Sequence, residues 1–481
     1  MMAAQARLSI LFLQFFVSIY IVFTACIFIA CSNSEPVGFD IEETTSIHCR
    51  DTNVIIYPPS IDPIKADSAE SASSKVDSLN FGEKIALKDT SSDIDSFESH
   101  EIVCDTIKNQ LFLDASMFPY AGIPRIVIET ENHLEIKDRE TEIPAKLQIW
   151  GEKDPESEVM NLTIRGRGNS TWKYPKQPYA IKFNKKQTFL GMPQAKKWVM
   201  LANYRDRTLI RNAVAFEIAR QTNQEWVPQG RFVDVFLNKK PIGNYFVTEK
   251  IEINKNRLSL GKNSFLLEAD ARFDGDHKFK TTYKKLPINI KYPSAPSEQQ
   301  IDYIAAYLDS AENALYQNKD DSFHKFIDIA SFADFWIIHE LAQNKEPYHP
   351  FSVHFYKREN EQIKAGPIWD FDWQTFSDYH KGLIIQYSVW NDAFLWKKEY
   401  RELVKQRWAI YKSNFEDIIH YIDSLAEYTK PSNEFNHQLW PIQITEGFAG
   451  DEQMSFEESI LQMKHTYKER IVELDSIFNT L

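Results

Sequence analysis

Asp370 and Asp372 stand two residues apart in Gly366-Pro367-Ile368-Trp369-Asp370-Phe371-Asp372-Trp373, each between bulky aromatics. Alternation along this run predicts an extended segment on which the two carboxylates share a side. Carboxylates held together on an apolar stretch repel one another unless a cation sits between or beside them. A hard divalent metal is therefore the first chemistry this pair suggests; the plain alternative is two unrelated aspartates at a solvated strand end. The neighbouring aromatics argue against full solvation and favour the metal. Gly366 also breaks a long run with no other glycine since Gly275.

The elements that must position this pair can be read upstream of it. Residues 328–343 read as a mostly apolar, buried helix ending in the polar loop Asn344-Lys345-Glu346-Pro347-Tyr348-His349. Ser352 to Lys357 alternates as a strand, Arg358 to Glu361 turns and Gln362 to Ala365 returns, so the aspartates leave a hairpin. Farther upstream, Arg165-Gly166-Arg167-Gly168-Asn169-Ser170-Thr171-Trp172 precedes a strand, 179–183, that carries Lys182. Other strands are expected at 126–130, 145–150 and 160–165, and a hairpin pairs 232–237 with 244–250 across a loop at 238–243. A helix is expected over 206–221 with Asp206 as its cap, and Ser297 with Gln300 reads as a capping box opening another. Three more helical segments follow, near 399–413, 415–428 and 452–478. A β-rich first half and a helical second half make an α+β, two-lobed chain. Helix, polar loop, hairpin, then aspartate is also the order in protein kinases, where the loop carries the catalytic base and the aspartate holds Mg²⁺.

Four motifs make the resemblance more specific: Arg165-Gly-Arg-Gly-Asn-Ser-Thr-Trp172, Leu201-Ala-Asn-Tyr-Arg-Asp-Arg-Thr-Leu-Ile-Arg-Asn212, Thr248-Glu-Lys-Ile-Glu252 and Gly366-Pro-Ile-Trp-Asp-Phe-Asp372. With them the chain resembles the CotH kinase family, named for a spore-coat protein kinase and common among exported bacterial proteins. The resemblance implies a two-lobed atypical kinase-like fold over 116–481, with a β-rich lobe at about 116–295 and a helical lobe at about 296–481. It implies transfer of the ATP γ-phosphate to Ser or Thr of envelope or surface proteins, with Mg²⁺ or Mn²⁺. Carried over by position, Lys182 would contact the ATP phosphates, with Glu217 as its helix partner and Glu249 as a competitor. Asp370 would be the main metal ligand, supported by Asp372 and Asn344, while Arg165, Arg167 and Arg211 would neutralise phosphate.

Family members usually carry Asn-x-Asp in the loop, and this chain has Asn344-Lys345-Glu346. In the base position Glu346 carries one extra methylene, which displaces its carboxylate by about 1.5 Å. Phe351 stands where a typical kinase places a second metal-binding Asn. A catalytically impaired, pseudokinase-like surface lipoprotein that binds a partner or nucleotide is the alternative. A two-carboxylate glycosidase is disfavoured, because its carboxyls come from opposed elements about 5–10 Å apart.

The 481 residues carry a net charge of -13, which disfavours nucleic acid as a partner because phosphate neutralisation needs a basic surface. Arg7, an apolar run over 8–30 and Cys31 read as an export signal, with Phe28-Ile29-Ala30-Cys31 resembling a bacterial lipobox. Cys31 would be the lipidated residue; Cys26 and an uncleaved span are the alternatives. All three tether the protein to a membrane with its body exported into the bacterial cell envelope. An acidic, Ser-rich stalk is expected over 32–115. Cys49 and Cys104 could pair in an oxidising compartment. No cysteine follows Cys104, which excludes thiol chemistry from the main body.

Overall fold

The computed structural model describes residues 110–317, 321–372, 374–376, 381–442, 450–451 and 453–481, and two short strands, Cys49–Arg50 (β1) and Asn53–Val54 (β2). β1 and β2 pair antiparallel within a unit spanning Met1–His100; the remaining elements belong to a unit spanning Glu101–Leu481. The leader expected at 1–31 with Cys31, the acidic stretch up to 109 apart from β1 and β2, and Cys104, with which Cys49 could pair, lie outside the described residues. Among the described residues no helix is long and apolar enough to cross a membrane. The folded body takes up the chain by Leu111, inside the span read as stalk: Leu111 is buried and its N–H donates to Gln148 Oε1 at 2.8 Å.

Seven strands close into a barrel in the order β3-β4-β5-β6-β7-β9-β8. They are Arg125–Thr130 (β3), Ile143–Trp150 (β4), Met160–Gly166 (β5), Tyr179–Phe189 (β6), Met192–Leu201 (β7), Gly230–Leu237 (β8) and Lys240–Glu249 (β9). The parallel pairing of β3 with β8 removes the last free edge. Alternate residues fill the interior, among them Ile126, Leu147, Ile164, Ile181, Trp198 and Val247. Their neighbours, including Arg165, Ala180, Lys182 and Val199, therefore face outward. The β8–β9 connection is tighter than the loop read at 238–243. Asn238 (φ 49) and Lys239 (φ 67) both adopt the left-handed conformation of a two-residue hairpin turn.

The helix read from Asp206 begins later, as Arg211–Arg220 (α1). Asp206 instead folds the preceding turn, accepting from the N–H and hydroxyl of Thr208 and, at 3.0 Å, from the N–H of Arg211. A side chain that bonds its own local backbone competes with helix initiation.

A second, five-stranded antiparallel sheet runs β11-β12-β10-β13-β14. It comprises Phe265–Ala269 (β10), Lys278–Lys280 (β11), Pro287–Tyr292 (β12), Val353–Lys357 (β13) and Ile363–Ala365 (β14). The hairpin β13–β14 lies where the sequence placed it, whereas β10–β12 had no comparable signal. Pairing of β10 with β13 joins residues from either side of the 295/296 boundary. Glu298–Tyr316 (α2) opens on the expected Ser297–Gln300 capping box, and Ile329–Leu341 (α3) is capped by Asp328. After Asn391–Trp396 (α4), the two segments expected at 399–413 and 415–428 form one 42-residue helix, Lys398–Leu439 (α5), which runs through Pro431. Neither Gly nor Pro stands between those segments to stop it. Phe456–Thr480 (α6) closes the chain behind a Ser455–Glu458 capping box. The sum is a mixed α+β body: a barrel-bearing, β-rich first part and a helical last part.

A candidate active-site cleft

Outer faces of β5–β7, the loop after β5, the five-stranded sheet and the segment after β14 enclose a cleft of about 520 Å³. Asp370 and Asp372 both line it, but not as members of a strand. Gly366 has φ 110 and Asp370 has φ 70, so the segment is kinked where alternation predicted extension. What holds it is anchoring on both sides of the kink. Phe371 is fully buried and stacks on His339 of α3 with ring centroids 4.8 Å apart. The Phe371 N–H donates to Asn212 Oδ1 at 3.0 Å, and Asn344 Nδ2 donates to the Asp370 carbonyl at 2.9 Å. Ser352 Oγ reaches Asp370 Oδ2 at 3.3 Å. The shared side was legible in the sequence; the backbone that produces it was not.

The electrostatics of this corner are unfavourable for carboxylates alone. Burial, then Asp370, then Asp206 push Asp372 up to about 8, against the pull of Arg167. Burial, then Asp370, then Asp372 push Glu346 up to about 9, and its Oε2 is buried with no hydrogen-bond partner. Burial and neighbouring negative charge thus favour the protonated form of Asp372 and of Glu346. Among the described residues no three His, Cys, Asp or Glu side chains form a set that could hold a metal ion unaided. Mg²⁺, however, is commonly held by one or two carboxylates together with water and substrate phosphates. The donor set of Asp370 and Asp372 fits that mode.

Cations face the pair. Arg167 lies over the Trp369 ring at 5.9 Å, and Asp370 and Asp372 are the opposing charges that act on it. Arg165 lines the cleft and donates from Nη1 to the carbonyls of Gly166 and Arg139. Arg272 lies beside Asp270 at 2.9 Å, and Lys250 and Lys291 are among the other cationic residues of the lining.

Five residues named from sequence sit elsewhere or are otherwise engaged. Lys182 does not line the cleft; its Nζ pairs with Glu142 at 3.0 Å. Glu217 pairs with Arg220 at 3.0 Å and accepts from Gln221, so no Lys182–Glu217 pair forms. Glu249, the competitor, is buried 3.5 Å from Arg257. Arg211 is fully buried between Asp206 (3.1 Å) and Asp451 (2.6 Å). Asn344 spends its amide on Asp370 and its Oδ1 on the Glu346 N–H at 3.0 Å, which makes it the tie between loop and segment rather than a free ligand.

Sequence reasoning passed over Lys250, although it lies within a quoted motif, and it passed over Glu268, Asp270, Lys291 and His354 on the five-stranded sheet. Only tertiary strand pairing brings these to the cleft. A pair of carboxylates opposite a cationic wall suits a polyanion bound through a divalent cation, the arrangement phosphoryl transfer needs. A family model described as CotH kinase protein matches residues 164–474, well over half of the chain, and no curated protein matches it.

Proposed function

The chain belongs to the CotH kinase family, and from that premise we propose that it is an atypical protein kinase whose active site is the cleft between Asp370–Asp372 and the Arg165–Arg167 loop. Membership of a kinase family implies ATP as phosphate donor and a protein as acceptor. The finer reading is transfer of the γ-phosphate to Ser or Thr hydroxyls of envelope or surface proteins, by a protein exported and tethered through Cys31. The observation that carries it is the convergence of Asp370 and Asp372 opposite Arg167 in one cleft, with the buried Glu346, which does not itself line the cleft, close enough to feel both aspartates.

Asp370 and Asp372 are the residues that would hold Mg²⁺ or Mn²⁺. Bound there, the cation would offset the charge of the phosphate chain and of the carboxylates. Arg167, stiffened by its stacking on Trp369, neutralises phosphate oxygens as charge shifts during transfer. The acceptor hydroxyl oxygen forms a bond to the γ-phosphorus, the bond to the β–γ bridging oxygen breaks, and ADP leaves. Glu346, when ionised, takes the hydroxyl proton. The neutral state favoured for Glu346 supports a second reading, a nucleotide-binding protein impaired in turnover.

The test is incubation of the full chain in detergent with γ-labelled ATP and Mg²⁺ or Mn²⁺. Label should enter protein, and Asp370→Ala should lower incorporation by about 10³-fold or more, on the scale of losing a preorganised electrostatic group. Incorporation that survives Asp370→Ala removes this site. No incorporation by the wild type, with a rise on Glu346→Asp, favours the impaired reading.

A further inference from the structure

Strand register sets three lysines side by side on the outer face of the barrel. Lys182 on β6 is directly opposite Lys197 on β7, and Trp198 is opposite Glu249 on β9. Carried one residue further, that ladder brings Lys250 beside Lys197. Ile181 and Trp198 point into the barrel core, so Lys182 and Lys197 face outward with Ala180 and Val199, which line the cleft. Like charges directly opposite across a ladder destabilise it. Two of the three are answered from nearby: Lys182 by Glu142 at 3.0 Å, and Lys197 by Glu252 at 4.0 Å. Glu252 is itself shared with Arg257 at 2.9 Å.

Lys250 is the exception. It lines the cleft, its side chain is open to solvent, and no hydrogen bond or ion pair among the described residues reaches its Nζ. The charges around it are Lys197 from β7, Lys291 from β12, Arg165 from β5 and, as the opposing one, Glu252; Lys291 is answered by Glu268 at 3.1 Å. Crowding by protein, then Lys197, Lys291 and Arg165, hold the Lys250 amine down to about 8 in spite of Glu252. An ammonium placed in a repulsive row and open to a cleft is an anion-binding group, because an anion there relieves the repulsion and gains an unshared donor.

On the reading that this cleft takes ATP, we propose that Lys250, and not Lys182, is the lysine that binds the phosphate chain of the nucleotide. The experiment is calorimetric titration of ATP with Mg²⁺ into the full chain in detergent at pH 7. Lys250→Met should weaken binding at least tenfold, with Lys250→Gln as the substitute should the first variant not fold. Lys186→Met, a change at an exposed position of the same β6, should stay within about twofold of wild type. From pH 7 to pH 9 the wild type should lose affinity severalfold as the amine deprotonates, whereas Lys250→Arg, charged throughout, should not. Unchanged affinity in Lys250→Met, or a larger loss in Lys182→Met, overturns the assignment. Binding that depends on Lys250 without any phosphate transfer upholds the assignment and removes the kinase reading instead.

Discussion

Arg211 and Arg167 are both arginines flanked by aspartates, yet they belong to opposite kinds of site. Arg211 is closed in between Asp206 and Asp451 with no exposed surface, and its charge is met by protein on both sides. Arg470 and Glu340 repeat the pattern where α6 crosses α3, at 2.6 Å. By contrast, Arg167 faces Asp370 and Asp372 in the cleft, burial and Asp370 push Asp372 up to about 8, and the buried Glu346, which feels both aspartates, leaves Oε2 unbonded. In the first arrangement the charges are matched as folded, although Arg211 Nε and Nη1 make no hydrogen bond; in the second, burial and neighbouring carboxylates push Asp372 and Glu346 up. Charge that finds no match inside the protein is thus a better marker of the reacting site than arginine or aspartate as such. It separates Arg167 from Arg211, which sequence position alone did not.

Glu346→Gln gives the largest effect expected from the cleft side. The amide keeps the size of the carboxyl but cannot accept a proton, so transfer should fall by about 10²–10⁴-fold, the range for loss of a general base. ATP affinity should move by less than about threefold, and melting temperature should hold or rise, since a buried acid beside two others has been removed. Equal loss of affinity and turnover would make Glu346 part of nucleotide binding and blur the distinction drawn above.

The closed side should respond in the opposite sense. Arg211→Met leaves Asp206 and Asp451 buried without their cation, and stability should fall by about 3–5 kcal/mol, as for other broken buried pairs. Denaturant unfolding of the full chain measures this. Transfer by the fraction that remains folded should decline far less than in Glu346→Gln. A variant as stable as wild type but unable to transfer would move Arg211 to the phosphate-binding role its motif suggested.

What the sequence made legible follows from the range over which each signal acts. The β3, β4 and β5 strands, the β13–β14 hairpin and the Ser297 capping box are local patterns, and they lie close to where the residues placed them. The carboxylate pair was legible for the same reason. Its kink at Asp370 was not, because a left-handed residue there is held by Asn212 and Asn344, well over a hundred and over twenty residues away. Lys182 looked like the phosphate lysine because it follows a glycine-bearing turn. Only the pairing of β4 with β5 and of β5 with β6, which brings Glu142 to Lys182, and that of β7 with β9, which sets Lys250 beside Lys197, show that Lys182 is taken while Lys250 is left open. One long helix, α5, was read as two segments although no Gly or Pro stands between them.

The smallest effect is expected where α5 meets the barrel, in a buried network held by hydrogen bonds rather than by ion pairs, with Asp234 Oδ2 left unbonded. Asn244 donates to Ser432 Oγ at 2.8 Å and, from its backbone N–H, to Asn436 Oδ1 at 3.1 Å; Ser432 in turn donates to Asp234. Burial pushes Asp234 up to about 7, against the Ser432 hydrogen bond and the charges of Lys176 and Arg125. The folded chain therefore holds this proton more tightly than the unfolded chain, whose Asp titrates near its ordinary value of about 4. A raised acid contributes stability that is fully present below the unfolded value and is lost as pH climbs through the folded one. Asn, which is neutral throughout, suffers no such loss. The stability of Asp234→Asn relative to wild type should accordingly rise between pH 4.5 and pH 8, by roughly 1–2 kcal/mol once the response of the neighbouring Lys176 is allowed for. Paired urea melts across that range measure the difference. Parallel curves would mean that Asp234 stays ionised against Lys176, which would place this network with the Arg211 clamp rather than with Asp372 and Glu346.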